Sequence, residues 1–226
     1  MSSPNDTNDT NDAKDIKKIV ETLTTAIISA FPRNVALAAA EAIPKARPNP
    51  RVGVSALIQN EKGEFLVGER MGSHGAGTVQ TPGGHIDFGE EQLYKVAERE
   101  VMEETGLEVT AERILTITND VFNDEAKHYI TTWIICTMKN PDAKPKRMEP
   151  KKCMWWAWKS SKELAEMDKA ADIRKAEKKA KGEEPDAPAG DELFLPLVNL
   201  LKQSVAAEAT DLSSFIASTV GLVHVK

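Results

Sequence analysis

Three glutamates follow one arginine in the stretch Arg99-Glu100-Val101-Met102-Glu103-Glu104-Thr105-Gly106-Leu107. On a helix, Glu100, Glu103 and Glu104 stand at i, i+3 and i+4, so their carboxylates converge on one side within about one turn. Three carboxylates so close repel one another unless a cation joins them. Oxygen-only donors suit a hard ion, Mg²⁺ or Mn²⁺ as its substitute, which commonly keeps waters and bridges to substrate phosphates. Arg99 is four residues before Glu103, placed to pair with it and fix its rotamer. Upstream, Pro82-Gly83-Gly84-His85-Ile86-Asp87-Phe88-Gly89-Glu90-Glu91 supplies a Gly83-Gly84 pair, which lets backbone approach a ligand where any side chain would obstruct it.

These residues need a helix from about Glu91 to Thr105, with Gly106 as its C-terminal stop. Around it the texture is β-rich. Val52, Val54, Ala56 and Ile58 alternate with Gly53, Ser55, Leu57 and Gln59, Lys62-Gly63 supplies a turn, and Phe65 to Arg70 follows as the expected hairpin partner. Further strands are expected at Thr78 to Thr81, Thr110 to Thr118, Tyr129 to Met138 and Met154 to Trp158. Strands on either side of a helix imply a mixed α/β or α+β sandwich. The alternating tryptophans near 155 to 158 read as core, and Leu193, Phe194, Leu197, Val198, Leu200 and Leu201 suggest a returning helix.

The flanks differ in kind. Residues 1–14 are Asn/Asp/Thr-rich and read as a disordered tail, since they lack apolar groups to offset ordering entropy. Residues 15–47 read as a helical extension: Ile16, Ile19, Val20, Leu23, Ala26, Ile27, Ala30 and Phe31 recur at three- and four-residue steps up to Pro32, and a short helix precedes Pro44. Residues 166–190 mix Lys, Glu and Ala before Gly182, Pro185, Pro188 and Gly190. They read as an exposed charged insertion within a domain spanning 48–203, followed by a C-terminal segment, 204–226.

Composition bounds the function. A chain of 226 residues with 41% hydrophobic content holds one substantial core plus appendages. Its net charge of -6 argues against broad nucleic-acid binding, which needs a positive footprint. An acidic chain acting on a polyphosphate must recruit positive charge, and a bound divalent metal is the obvious source. Two cysteines, Cys136 and Cys153, are too few for a disulfide framework. Without a basic leader or a bilayer-length apolar run, the expectation is a cytoplasmic protein with no membrane contact; homodimerisation stays open.

The order of residue types then narrows the reading. The stretch resembles the Nudix box, G-x5-E-x7-R-E-U-x-E-E-x-G-U with U aliphatic. Arg99 to Leu107 fits without exception, which average residue usage would produce in a random chain of this length about once in 10⁵. Gly72-Ser73-His74-Gly75-Ala76-Gly77, Gln80-Thr81-Pro82-Gly83-Gly84-His85 and Glu149-Pro150 leading into Trp155-Trp156-Ala157-Trp158 look like the MutT-related nucleoside triphosphate diphosphatase branch. The resemblance implies an α/β/α sandwich around a mixed β-sheet, here with the helical extension added. It implies Glu100 and Glu104 as metal ligands with the Gly83 carbonyl, Glu103 as a further ligand or the base, and Arg99 as their orienter. It also implies substrate contacts from Gly83, Gly84, His85, Thr81 and Phe194. A nucleoside triphosphate cut to monophosphate and pyrophosphate is the expected reaction. Another nucleoside diphosphate derivative, such as a nucleotide-sugar or dinucleotide, and a non-catalytic binding module are the alternatives.

Two departures stand out. Eight residues, 91 to 98, separate Glu90 from Arg99 where the box has seven. A loop absorbs an inserted residue more readily than a helix, which it would twist by about 100°, so Glu91 is assigned as the leading glutamate over Glu90. At Phe194-Leu195-Pro196, where related enzymes can supply aromatic packing to a purine, only Phe194 is aromatic.

Overall fold

A computed structural model describes residues 49–72, 74–184, 187–219 and 223–224. The expected tail and helical extension, residues 1–14 and 15–47, lie outside the described residues. In chain order the elements are β1 (Arg51–Ile58), β2 (Phe65–Arg70), β3 (Thr78–Gln80), β4 (Gly83–His85), α1 (Leu93–Thr105), β5 (Val109–Phe122), β6 (Lys127–Met138), β7 (Cys153–Lys159), α2 (Ser161–Lys181), β8 (Glu192–Leu193), α3 (Leu195–Ala206), α4 (Leu212–Ser218) and β9 (Val223–His224).

The strands form two mixed sheets, β4-β1-β6-β5-β9 and β7-β2-β3-β8. The β1–β6 and β3–β8 pairs are parallel, and the other pairings are antiparallel. Strand alternation divides the side chains between two cores. Val54, Ala56, Ile58 and Leu66 face Val96, Ala97 and Val101 of α1. Leu57, Phe65 and Val67 join Leu164 of α2, Leu197, Leu200 and Leu201 of α3 and Leu212 and Phe215 of α4. Helices thus cover both faces of the β layer, the α/β/α arrangement expected. Each fully buried Val or Leu in these layers contributes about 1.5–3 kcal/mol relative to exposure.

The expected hairpin of 51–59 with 65–70 does not form. Beyond a single bridge, Gln59 to Phe65, β1 and β2 part into different sheets, and β1 pairs instead with β4 and, in parallel, with β6. The consecutive buried run Val54–Ile58 marks a strand covered on both faces, which does not stop at a local partner. The site helix begins at Leu93, after the N-cap Gln92, and ends at Gly106 in the left-handed conformation (φ 68°), whose N–H returns to the Met102 carbonyl.

The charged stretch after 160 is one helix, α2, opened by a capping box between Ser160 and Glu163 and closed by Gly182. Only Ser161, Leu164 and Ala171 of it are buried. Trp156 and Trp158 pack on the α1 core and Trp155 on the other. Among the described residues, packing continues past residue 203 through the buried face of α4 and the pairing of β9 with β5.

Candidate active site

α1 places its glutamates by helical spacing, and two of them end in the protein interior. Glu100 and Glu104 are buried. Gly83 of β4 donates its N–H to Glu104 Oε2 at 3.1 Å. The Glu100 carboxylate lies so close to Gly84 that a β-carbon at that position would collide with it; the second glycine is a steric requirement of this approach. Burial pushes the Glu104 carboxyl up to about 8, against the Gly83 hydrogen bond and reinforced by the charges of Glu100 and Glu149. Burial also raises Glu100, opposed by Arg99.

Arg99 organises the outer half. It donates through Nη1 to Glu100 Oε1 (2.9 Å) and Glu103 Oε2 (3.0 Å), and through Nη2 to the His85 carbonyl (3.4 Å). Its remaining edge binds Glu90, Nε to Oε1 at 2.8 Å and Nη2 to Oε2 at 3.1 Å. The carboxylate beside Arg99 is that of Glu90, whereas Glu91, the expected leading glutamate, is exposed. Both residues precede the first turn of α1, so Glu90 reaches Arg99 without any distortion of the helix, and the extra residue is absorbed ahead of Leu93.

The donor set suits a hard cation. Every donor is an oxygen, and two buried carboxylates have few donors facing them. Glu149, on the loop before β7, directs a buried Oε2 with no hydrogen-bond partner, while its Oε1 pairs with Lys152 Nζ at 2.7 Å. As the side chains stand, no three His, Cys, Asp or Glu groups among the described residues form a closed ligand set; Glu103 is held by Arg99.

Beside these carboxylates lies an open pocket lined by Gly83, Gly84, His85, Thr81 and Phe194 together with residues not assigned from sequence, Arg70, His74, Phe122 and Tyr129. Thr81 Oγ1 is 2.5 Å from Ser55 Oγ. His85 lies 5.6 Å from the Tyr129 ring, and burial first, then the charges of Arg51 and Arg70, lower its pKa. Phe122 and Phe194 rings lie 5.3 Å apart. The Arg70 guanidinium sits 4.2 Å over Phe194 and also donates to Gln80; among the described residues it has no carboxylate ion pair. Arg70 and Tyr129 sit in strands whose sequence pattern marks them only as edge or interior positions. Glu149 was visible as Glu149-Pro150, but its nearness to Glu104 comes from the fold.

Comparison with known proteins places this geometry. The NUDIX domain family model matches residues 49–180. Among solved structures, a MutT NUDIX hydrolase from Burkholderia pseudomallei is 23% identical, covering 51% of this chain and 86% of that one, with a TM-score of 0.46. The MutT protein from Methanosarcina mazei Go1 is 31% identical over 52% of this chain and 82% of that one, TM-score 0.45. An ADP-ribose pyrophosphatase from Streptococcus suis is 17% identical over 76% and 94%, TM-score 0.45. With the family match extending over more than half of its length, the chain belongs to the Nudix family of hydrolases.

Proposed function

We propose that this Nudix hydrolase is Mg²⁺-dependent and cleaves a nucleoside triphosphate to the monophosphate and pyrophosphate. One juxtaposition supports the reading: the Gly83-Gly84 backbone, against which the carboxylates of Glu104 and Glu100 lie, lines the same pocket as Arg70, His85 and the rings of Phe194 and Tyr129. Phosphates thereby meet the charged end while a planar base meets aromatic faces.

Glu100 and Glu104, with the Gly83 carbonyl, would hold the metal. Held there, Mg²⁺ would supply Lewis-acid chemistry, making a water more acidic and offsetting charge at phosphorus. Glu103, the most accessible of the three, is assigned as the base that takes the water's proton, and Arg99 keeps it on the helix face beside Glu100. Arg70, half-buried and lacking a carboxylate ion pair among the described residues, offers its charge to a phosphate oxygen. Neutral His85 contributes a hydrogen bond. Thr81 and Gly84 shape the floor. The two free, buried cysteines accord with a reducing, cytoplasmic setting.

The test is a panel of nucleoside triphosphates, nucleotide-sugars and dinucleotides incubated with Mg²⁺, with products separated by chromatography. Monophosphate and pyrophosphate from triphosphates is the expected result. Cleavage confined to nucleotide-sugars or dinucleotides would move the assignment to that class, and no turnover of any would remove the catalytic reading.

A further inference from the structure

Among the described residues, three buried side-chain atoms lack a hydrogen-bond partner: His74 Nε2, Arg113 Nη1 and Glu149 Oε2. Of these, only His74 belongs to the pocket lining. It sits at the aromatic end, far in character from the carboxylates. Its ring stacks on Tyr129 (centroids 5.5 Å apart, 19° between planes) and meets Phe122 and Phe194 edge-on at 4.6 and 5.3 Å.

The imidazole is also fixed from its other side. Nδ1 lies 2.9 and 2.8 Å from the two Glu125 oxygens, and the His74 carbonyl accepts from Arg70 Nε at 3.1 Å. Glu125 in turn accepts from Lys127 Nζ at 2.6 Å. The hydrogen bonds from Lys127 and His74 hold the Glu125 carboxyl below its usual range, so it is ionised and only accepts. Nδ1 must then be the donor. A neutral imidazole with its proton on Nδ1 has its lone pair on Nε2, and burial, the largest influence on this ring, favours the neutral form. Among the described residues nothing donates to this prepositioned acceptor, on a ring that lines the aromatic end of the pocket. A buried acceptor in this condition is unfavourable until a ligand supplies the donor.

We propose that His74 is a specificity-determining residue of this pocket, its Nε2 accepting a hydrogen bond from a ring N–H or amino group of the nucleobase that stacks beside Phe194 and Tyr129. Glu125 is the positioning residue that sets which nitrogen is offered. The inference rests on the nucleotide reading above and adds to it a means of telling bases apart: a site built around a hydrogen-bonding group rejects analogues that leave that group unpaired.

The experiment measures kcat and KM for the four common nucleoside triphosphates and, for the three whose bases carry an amino group, for the analogues lacking it, with the full chain, His74→Phe and Glu125→Ala. His74→Phe keeps a ring among its aromatic neighbours and removes both nitrogens. The expected result is a rise of roughly tenfold in KM for the preferred amino-bearing base with kcat little changed, and a collapse of the preference over its deaminated analogue. Glu125→Ala, a change on an exposed turn, should shift the same ratio in the same direction by a smaller factor. Turnover of triphosphates with base ratios unchanged in both variants would overturn the role of His74 while leaving the proposed activity intact. Absence of triphosphate turnover in the unmodified chain would overturn both.

Discussion

Arg99 and Glu90 face each other through two hydrogen bonds, Nε to Oε1 at 2.8 Å and Nη2 to Oε2 at 3.1 Å, so the carboxylate takes one whole edge of the guanidinium. The Arg99 Nη1 group, on the opposite side, reaches Glu100 and Glu103. Glu90 therefore sets the pose of the group that sets theirs. Loss of this two-point hold would let Arg99 and the carboxylates it positions shift, so Glu90→Gln should lower kcat by roughly tenfold or more, while Glu91→Gln, at an exposed position, should stay within about twofold. Steady-state kinetics on the two variants decides it. The reverse ranking would return the leading role to Glu91.

Much of this site was open to sequence reasoning because its key spacing lies within one helix. Once Arg99, Glu100, Glu103 and Glu104 are helical, their shared face follows from 3.6 residues per turn. That Glu90 rather than Glu91 meets Arg99 was not legible, because the helix was expected to start at about Glu91; its start at Leu93 depends on where tertiary packing begins, with Leu93 and Tyr94 against the α1 core. The β1–β2 hairpin failed for a related reason. Strand alternation shows which residues face a core, yet the partner of β1 is β6, which pairs Arg51 with Tyr129, and no local pattern encodes a parallel pairing across such a span. Arg70 and His74 are near in sequence, as are Phe122 and Tyr129 on the β5–β6 hairpin, but the two pairs and Phe194 meet only through contacts between distant segments.

The Glu103 side chain is about half exposed (49%) and has Arg99 as its ion-pair partner. A surface pair of this kind contributes about 0–1 kcal/mol, so Glu103→Gln should melt within a few degrees of the unmodified protein. If Glu103 is the base, turnover should nonetheless fall by at least about 10²-fold. Thermal melting alongside kinetics separates the two effects. Native turnover in the folded variant would assign the base elsewhere.

Cys136 is buried on β6, and burial pushes its thiol up to about 12; Cys153 is pushed up to about 11 by the same cause. In the unfolded chain both would lose their protons near the usual thiol value of about 8.5. Above that value the folded state binds more protons than the unfolded state, so these thiols make stability fall as pH rises from about 9 toward the folded values. Chemical denaturation at a series of alkaline pH values should show this slope, and Cys136→Ala should reduce it. At pH 8 the folded chain should resist iodoacetamide and react only after denaturation. Rapid labelling of the native chain at that pH would contradict the burial of both sulfurs.

Glu149 differs from the box glutamates in lying on a loop, yet its charge raises the Glu104 pKa and its Oε2 is buried without a partner. An unpaired buried carboxylate oxygen is expensive, and the nearby Lys152 satisfies only Oε1. A cation shared with Glu104 would meet the remaining oxygen. Chelation by EDTA should therefore abolish activity, and Mg²⁺ or Mn²⁺ should restore it. Glu149→Gln retains the shape, but its one neutral oxygen can either keep the contact with Lys152 or take the Oε2 position, not both; it should raise the metal concentration giving half-maximal activity by about 10-fold or more, within the range seen when a supporting group of a metal site is lost. At saturating metal much of the turnover should return, which distinguishes weakened metal binding from loss of the base at Glu103. An unchanged metal dependence in Glu149→Gln would show that the orphaned oxygen serves some purpose other than holding the cation.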